Sequence, residues 1–256
     1  VRFGRSPRRW LARMWQRARG LIVPEELEPG PPAGVWREER VESGEAQHLF
    51  RDILVTVTGA ESGWRALTQA AEFARREGSV LRGLHVAASN DESALARGRQ
   101  VLEEFTFRCR DLGIQATTSL AVGEVAQQII ERARWADMVV INQRREHGRW
   151  AERPLGTIFQ TVATQAARPI LAVPGTNVMP LRKALLAYDG SPKAREALFV
   201  LRHMIACWQI GGLLLAVEGG RANRETLEQA WLYLQETGGL LLPTRYETGN
   251  PAEVIL

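Results

Sequence analysis

The sequence predicts an α/β fold in which a doubly wound, open parallel sheet occurs twice along the chain. Two observations lead to this prediction. Short apolar runs such as Ile53–Val57 alternate with segments of helical periodicity such as Glu61–Glu77. In addition, ILVTVTGAESGWRAL at 53–67 recurs as ALLAYDGSPKAREAL at 184–198, and GEVAQQII at 123–130 recurs as GNPAEVIL at 249–256. Copies about 130 residues apart indicate two similar domains, because solenoid repeats recur about every 20–50 residues.

The first copy shows the alternation from its start. The β-branched run Ile53–Val57 predicts a strand buried on both faces. The helix Glu61–Glu77 is expected to turn Leu67, Ala70, Ala71 and Ala74 inward and to end at Gly78. The remaining predicted elements are the strands Val80–Val86, Gln115–Val122, Met138–Asn142 and Pro169–Val173 and the helices Ser93–Leu112, Val125–Ala133 and Thr157–Ala167.

The second copy follows the same plan over a shorter length. Its predicted elements are the strands Ala184–Tyr188, Gly212–Val217 and Leu240–Tyr246 and the helices Lys193–Cys207, Arg224–Thr237 and Pro251–Leu256. No counterpart of the last two strands of the first copy follows them. Such a half sheet has an open strand edge, so we expect either that the sequence is a fragment or that another chain covers the edge.

The composition, with 45% hydrophobic and 24% charged residues, is that of a globular protein. No apolar run approaches the roughly 18–20 residues that a membrane span needs. Cys109 and Cys207 lie far apart and are expected to be buried thiols in a reducing compartment. The histidines have no metal-binding spacing, and neither a nucleophile elbow nor a P-loop occurs, so we expect no metal site and no enzyme.

Basic charge is concentrated at the start of the chain. The first twenty residues hold seven arginines and no acid, while the whole chain carries +4. Residues 5–22 predict an Arg-rich helix with Trp10, Met14 and Trp15 on its other face, followed by a linker rich in Pro, Gly and Glu. Such a helix suits an anionic membrane surface or an acidic partner, and a solvated tail is the alternative. We do not expect a nucleic-acid partner, because no DNA-binding fold accompanies the arginines.

Three sequence blocks resemble the universal stress protein family. They are YDGSPKAREAL at Tyr188–Leu198, with TGAESGWRAL at Thr58–Leu67 as a weaker version, GEVAQQIIERARWADMVVIN at Gly123–Asn142, and GTIFQTVATQAARPILAVP at Gly156–Pro174. The chain is similar to the tandem members of that family. The predicted division is a basic helix and linker at 1–48, a first domain at 49–175 and a partial second domain at 181–256.

The resemblance implies a five-stranded open sheet, ATP binding in some members, and self-association or tandem pairing through the last strand, Pro169–Val173. It also implies a protein that is not a typical enzyme. Carried over by position, the implied nucleotide-binding residues are Thr58, Val86, Asn142, Gln143, Arg145, Glu146, Gly156, Thr157 and Ile158 in the first copy and Asp189, Gly190, Ser191 and Val217 in the second.

The first copy departs from the family's phosphate loop. Nucleotide-binding members have Gly, two residues, Gly, nine residues, Gly and Ser or Thr, because phosphate oxygens need access to backbone N–H groups. Counting back from Gly156 places Gln143 and Glu146 at the two earlier glycines. A carboxylate there would repel a phosphate charge about 6 Å away by about 3 kcal/mol at an effective dielectric of roughly 20.

The opening turn differs between the copies as well. The family commonly places Asp after its first strand, where this chain has Thr58 in the first copy and Asp189 in the second. A carboxylate accepts hydrogen bonds more strongly than a hydroxyl. We therefore expect a weak or lost ATP site in the first domain. Simpler interpretations stay open. Thr157 or Asp189 could serve merely as a helix cap, and the arginines of 144–153 could merely belong to a solvated loop.

The expected function is that of a non-catalytic stress-response protein that senses a ligand or binds a partner. We expect a cytoplasmic location, with peripheral membrane association through residues 5–22 as the alternative. An enzyme of the same architecture, such as a nucleotide-alpha-hydrolase, would need an SGGxDS-like or HxGH-like loop, and neither occurs.

Overall fold

The computed structural model describes residues 48–143, 157–174, 180–219 and 222–255. These residues divide into two compact units. The first contains 52–71, 79–143 and 157–174, and the second contains 48–51, 72–78, 180–219 and 222–255. The predicted N-terminal helix lies outside the described residues.

The first unit contains a five-stranded sheet whose paired strands all run parallel. Its order is β3-β2-β1-β4-β5, so the chain starts in the middle, moves to one edge and then crosses to the other. The strands are β1 (Asp52–Thr56), β2 (Val80–Ala87), β3 (Ala116–Val122), β4 (Met138–Gln143) and β5 (Ile170–Pro174). The doubly wound parallel sheet is the predicted fold class, which is therefore confirmed.

Helices connect these strands at the predicted places. They are α1 (Glu61–Glu77), α2 (Glu92–Asp111), α3 (Val125–Ala133) and α4 (Thr157–Gln165). Capping side chains define where two of them begin. Asp91 Oδ1 accepts from the backbone N–H of Ala94 at 2.9 Å, and Glu124 accepts from the first N–H groups of α3. Gly78, at φ 61°, follows the end of α1 as expected of a helix-terminating glycine.

Both faces of this sheet are covered. On one face, Leu54 and Leu84 pack in a buried cluster with Ile129 of α3 and Val162 of α4. On the other face, α2 lies so close to β2 that a Cβ at Gly83 would come within 2.7 Å of the Phe105 ring. Ile53 and Val55 of β1 are fully buried. The expectation of a strand buried on both faces is thus confirmed, as is the inward orientation of Leu67, Ala70, Ala71 and Ala74.

The second unit has a three-stranded parallel sheet of order β6-β7-β8. Its elements are β6 (Lys183–Ala187), α5 (Pro192–Trp208), β7 (Gly211–Val217), α6 (Arg224–Gly238), β8 (Thr244–Glu247) and α7 (Pro251–Ile255). Leu214 and Leu234 are fully buried at the centre of its core. Asn223 caps α6 by accepting from the N–H of Thr226 at 2.7 Å.

Two sequence predictions fail in this unit. The strand expected over Leu240–Tyr246 begins only at Thr244, because Leu240–Leu242 follow the left-handed Gly239 and form a connection in which Leu241 is 72% exposed. Cys207, expected to be buried, is exposed, since the buried stripe of α5 passes through His203 and Trp208 instead. Cys109 is buried as expected.

A buried carboxylate organises a polar cluster in the second unit. Glu77, at the end of α1, accepts through Oε1 from His203 Nε2 and from Trp208 Nε1, each at 2.6 Å. Its Oε2 accepts from the backbone N–H groups of Leu49 at 2.6 Å and Phe50 at 3.2 Å. Burial alone would raise the pKa of Glu77, but His203, Trp208 and the Phe50 N–H together hold that pKa below its ordinary value of 4.5.

Candidate functional site

The carboxyl ends of β1, β2 and β4 meet at one edge of the first sheet, where an open α/β sheet forms its binding crevice. The chain leaves β1 through Val57 and Thr58. Thr58 is exposed, and its Oγ1 accepts from the N–H of Ala60 at 3.4 Å in a tight turn. Gly59 completes this turn at φ 78°, a conformation that favours glycine.

A cleft of about 900 Å³ opens beside this turn, between the end of β2 and helix α2. Thr58 and Val86, both predicted as site residues, line it. The wall opposite is provided by α2, which contributes Arg97, Phe107 and Arg108. The cleft is therefore built by the first two crossovers of the fold, with α1 contributing Trp64 and α2 the opposite wall.

His85 fixes the floor of the cleft. Its Nδ1 lies 2.8 Å from the carbonyl oxygen of Val57, which can only accept, so Nδ1 carries the hydrogen. Helix α2 approaches the imidazole closely at Gly98, where a Cβ would lie 3.0 Å from His85 Cδ2. The contact positions α2 against β2 and keeps His85 at the lining of the cleft.

An aromatic and a guanidinium group form the far end of the cleft. The Arg108 guanidinium lies over the Trp64 ring, 4.4 Å from its centroid, and Arg108 Nε donates to Glu104 Oε1 at 2.6 Å. Phe107 beside them is 62% exposed. An arrangement with a flat ring, a paired cation and an exposed aromatic side chain suits a ligand with an apolar body and polar edges.

The other predicted residues of the first copy lie apart from this cleft or outside the described residues. Asn142 and Gln143 end β4 opposite Val173 and Pro174, and Asn142 Nδ2 donates to the Val173 carbonyl at 3.4 Å. Neither lines the cleft. Thr157 and Ile158 begin α4, with Ile158 exposed. Arg145, Glu146 and Gly156 lie outside the described residues, as do Arg144, Arg149 and Arg153.

The second unit has a turn of the same design at the end of β6. Asp189 is exposed, and its Oδ1 accepts from the N–H of Ser191 at 2.9 Å. Gly190 has φ 74°, close to the value of its counterpart Gly59. Ser191 then caps α5 by accepting from the N–H of Ala194 at 3.2 Å. Helix capping thus belongs to Ser191, whereas Asp189 stabilises the turn before it.

Val217, the last predicted residue, ends β7 in register with Glu247 and is buried. Its first-copy counterpart Val86 is the penultimate residue of β2, in register with Ala121. The structure therefore places Asp189, Gly190 and Ser191 in one turn and Val217 at the end of the neighbouring strand.

Sequence reasoning missed most of the cleft. His85, Trp64, Arg97 and Arg108 all line it, and none was predicted. The signal that could have found Trp64 and Arg108 is their place on α1 and α2, the helices that precede and follow β2. Their contact, however, joins residues far apart in sequence. Among the described residues, no group of three or more His, Cys, Asp or Glu side chains is arranged to hold a metal ion. None of the helices within these residues is both long and apolar enough to cross a membrane.

The sheet order and the crevice at its carboxyl edge define the first unit as a Rossmann-like α/β domain. Residues 49–174 match the model of the universal stress protein family. This segment belongs to that family, as the sequence resemblance implied.

Solved structures of similar fold carry the same family name. A universal stress protein from Archaeoglobus fulgidus DSM 4304 is 18% identical, with a TM-score of 0.70 over 80% of this chain and 81% of its own. One from Pseudomonas aeruginosa UCBPP-PA14, titled a putative universal stress protein, is 19% identical, with a TM-score of 0.60 over 82% of this chain and 78% of its own. A shorter universal stress protein, solved in complex with cAMP, is 21% identical, with a TM-score of 0.43 over 50% of this chain and 99% of its own. No curated protein matches this sequence.

Proposed function

We propose that this protein is a non-catalytic ligand-sensing or interaction module of the stress response, built from a first domain at 49–175 and a second copy at 181–256. In this proposal the first domain has a degenerate nucleotide site, and the second copy carries the opening that favours a nucleotide. The family of residues 49–174 supports the stress-response role. The β6-β7-β8 sheet supports the tandem arrangement, since it repeats the order of β1-β2-β3.

The difference between the two opening turns carries the proposal. Both turns are closed by a side-chain oxygen that accepts from the N–H two residues later, at 3.4 Å for Thr58 and 2.9 Å for Asp189. The turn after the first strand is therefore closed by the same type of hydrogen bond in both copies. Asp189 adds a second oxygen and a negative charge, which suit the hydroxyl groups of a ribose, whereas Thr58 offers one hydroxyl.

The fit of a nucleotide to the first domain is poor at the phosphate end. Gln143 is still part of β4, in register with Pro174, and brings a side chain to the position where the family's loop requires glycine. The cleft on the other side of β1 is lined by an ion pair, Arg108 with Glu104. These features favour a ligand other than a triphosphate in the first domain.

Binding of ATP to the full chain and to two isosteric variants tests whether the second copy, and not the first domain, binds the nucleotide. Asp189→Asn keeps the turn's acceptor but removes the charge, while Thr58→Val removes the hydroxyl from the matching turn. Equilibrium binding of labelled ATP should weaken at least about tenfold in Asp189→Asn and stay unchanged in Thr58→Val. Loss of binding in Thr58→Val alone would show that the first domain holds the nucleotide and would refute the proposal. An absence of ATP binding in all three proteins would leave only the interaction role.

We also propose self-association through the strand predicted at Pro169–Val173, which the structure describes as β5. This strand lies at the edge of the five-stranded sheet, and Leu171 is half-buried there. An edge strand presents unpaired backbone groups to a second copy. Sedimentation of the full chain should show a dimer that Leu171→Lys dissociates and that Leu241→Lys, on an exposed loop of the second unit, leaves intact.

The alternative function is that of a cytoplasmic adaptor held at a membrane surface or acidic partner by residues 5–22. The clustering of arginines with Trp10, Met14 and Trp15 favours it. Flotation with vesicles containing phosphatidylserine should then require residues 1–23. Equal flotation of the full chain and of the chain without those residues would remove this alternative.

A further inference from the structure

Cys207, His203 and Glu77 form a line of hydrogen-bonding side chains in the second unit. Cys207 Sγ lies 3.6 Å from His203 Nδ1, one turn earlier on α5. His203 Nε2 lies 2.6 Å from Glu77 Oε1. The side chains of Glu77 and His203 are 0% and 5% exposed, whereas Cys207 is open to solvent. An accessible thiol is thus followed by a buried imidazole and a buried carboxylate.

The hydrogen-bond pattern determines which tautomer of His203 faces the Cys207 thiol. An ionised Glu77 can only accept, so His203 Nε2 carries a hydrogen. In the neutral imidazole, Nδ1 is then the acceptor, and it faces the sulfur of Cys207. A nucleophile next to a base that a third group orients is the arrangement that activates nucleophilic side chains.

We propose that Cys207 is a peroxide-reactive thiol, with His203 as its general base and Glu77 as the residue that positions His203. His203 Nδ1 takes the thiol proton as the sulfur attacks one oxygen of hydrogen peroxide. The S–O bond forms and the O–O bond breaks, and the leaving hydroxide receives the proton from the imidazolium as water. Sulfur is oxidised to a sulfenic acid and the peroxide is reduced to water.

The base is needed because the site does not favour a free thiolate. Partial desolvation of the sulfur and the charge of Glu77 raise the pKa of the Cys207 thiol, although Arg202 acts in the opposite direction. The proton therefore has to leave during the reaction itself, to a base already in contact with the sulfur. The ionised Glu77 stabilises the imidazolium that forms, in the manner of the carboxylate of a triad.

Cys109 provides an internal comparison. It is buried on α2, and burial raises the pKa of its thiol to about 12. A buried thiol of this kind is inert to peroxide. Labelling of the native chain should therefore fall on Cys207 alone, and this reactivity does not depend on nucleotide binding.

The test is the rate of sulfenic acid formation in the full chain under hydrogen peroxide, trapped with a dimedone probe and assigned to each cysteine by peptide mass spectrometry. Native Cys207 should react at least about tenfold faster than the same cysteine in the urea-unfolded chain at the same pH, since a positioned base typically accelerates proton transfer by 10²–10⁴. Equal or slower reaction of the native thiol would overturn the proposal.

Two variants separate the role of His203 as the base from the role of Glu77 as the residue that positions it. Folded His203→Gln should lose at least about tenfold in rate, and retention of the wild-type rate would also overturn the proposal. Glu77→Gln removes the charge but keeps an acceptor, so its pH–rate profile should become that of a simple thiol, a change that lower stability alone does not produce. If His203→Gln does not fold, the comparison of native with unfolded wild type decides the question.

Discussion

Replacing Glu77 by Gln should destabilise the second unit more than any single change of a surface charge. The carboxylate accepts four hydrogen bonds, two from side chains and two from backbone N–H groups. A Gln amide has one acceptor oxygen, so its NH₂ group must face two of those donors. Each buried donor left without an acceptor costs about 1–1.5 kcal/mol, which gives a loss of about 2–3 kcal/mol in the free energy of unfolding.

Urea unfolding of the full chain, followed by tryptophan fluorescence and circular dichroism, measures this loss. The matched control is Glu72→Gln, one turn or so earlier on α1. Glu72 pairs with Arg76 at 2.9 Å, but both side chains are partly exposed, at 33% and 27%. Removal of such a pair should cost about 0.5 kcal/mol or less. A Glu77→Gln variant as stable as Glu72→Gln would refute the assigned role of the carboxylate.

The ionised Glu77 carboxylate also predicts how the free energy of unfolding changes with pH: it should fall on acidification. Because the pKa of Glu77 in the folded chain lies below its ordinary value of 4.5, protonation favours the unfolded chain. The stabilisation from ionised Glu77 should be fully present above about pH 4.5 and should be lost as the pH falls through the folded-state pKa. The gap in stability between wild type and Glu77→Gln should therefore narrow on acidification. A gap that widens below pH 4.5 would contradict this reasoning.

Three further substitutions test packing and capping by urea unfolding. Gly83→Ala should cost about 1–3 kcal/mol because its Cβ would meet the Phe105 ring at 2.7 Å, whereas Gly211→Ala, with no neighbour nearer than 3.5 Å, should be almost neutral. Leu234→Ala should cost about 2–5 kcal/mol at a fully buried position, against less than about 0.5 kcal/mol for Leu241→Ala at an exposed one. Ser191→Ala should cost about 1 kcal/mol by removing the cap of α5, and no change there would show that Asp189 takes over the cap.

The sequence was sufficient for the order and type of nearly every described element because local signals agreed with the global fold. Glu61–Glu77 and Val125–Ala133 were predicted with their observed bounds, since glycines and capping side chains mark where they begin or end. The strand over Leu240–Tyr246 was placed too early because three leucines look like a buried strand. Their neighbour Pro243 has no N–H, and only its carbonyl joins the sheet, accepting from Leu214 at 3.1 Å.

Only the part of the candidate site that lies at the ends of strands was predictable from the sequence. Thr58 lies just after β1 and Val86 is the penultimate residue of the neighbouring β2, so a parallel sheet had to bring them to one edge. Arg97 and Arg108 reach the same cleft from the second turn and the last turn of α2. Which face of a long helix closes over a sheet depends on side-chain packing, here on Gly98 against His85, and a single sequence does not reveal that contact.

Glu77 shows why buried polar clusters escape sequence reasoning. A glutamate in the last turn of a helix, after two arginines, has the pattern of a solvated position. Its partners lie 27 and 28 residues before it and 126 and 131 residues after it, so no local spacing connects them. Once buried, however, the carboxylate has to be satisfied completely, because each unsatisfied group costs free energy. That requirement fixes Leu49, Phe50, His203 and Trp208 around one side chain, and it also gives His203 the orientation that places its second nitrogen against Cys207.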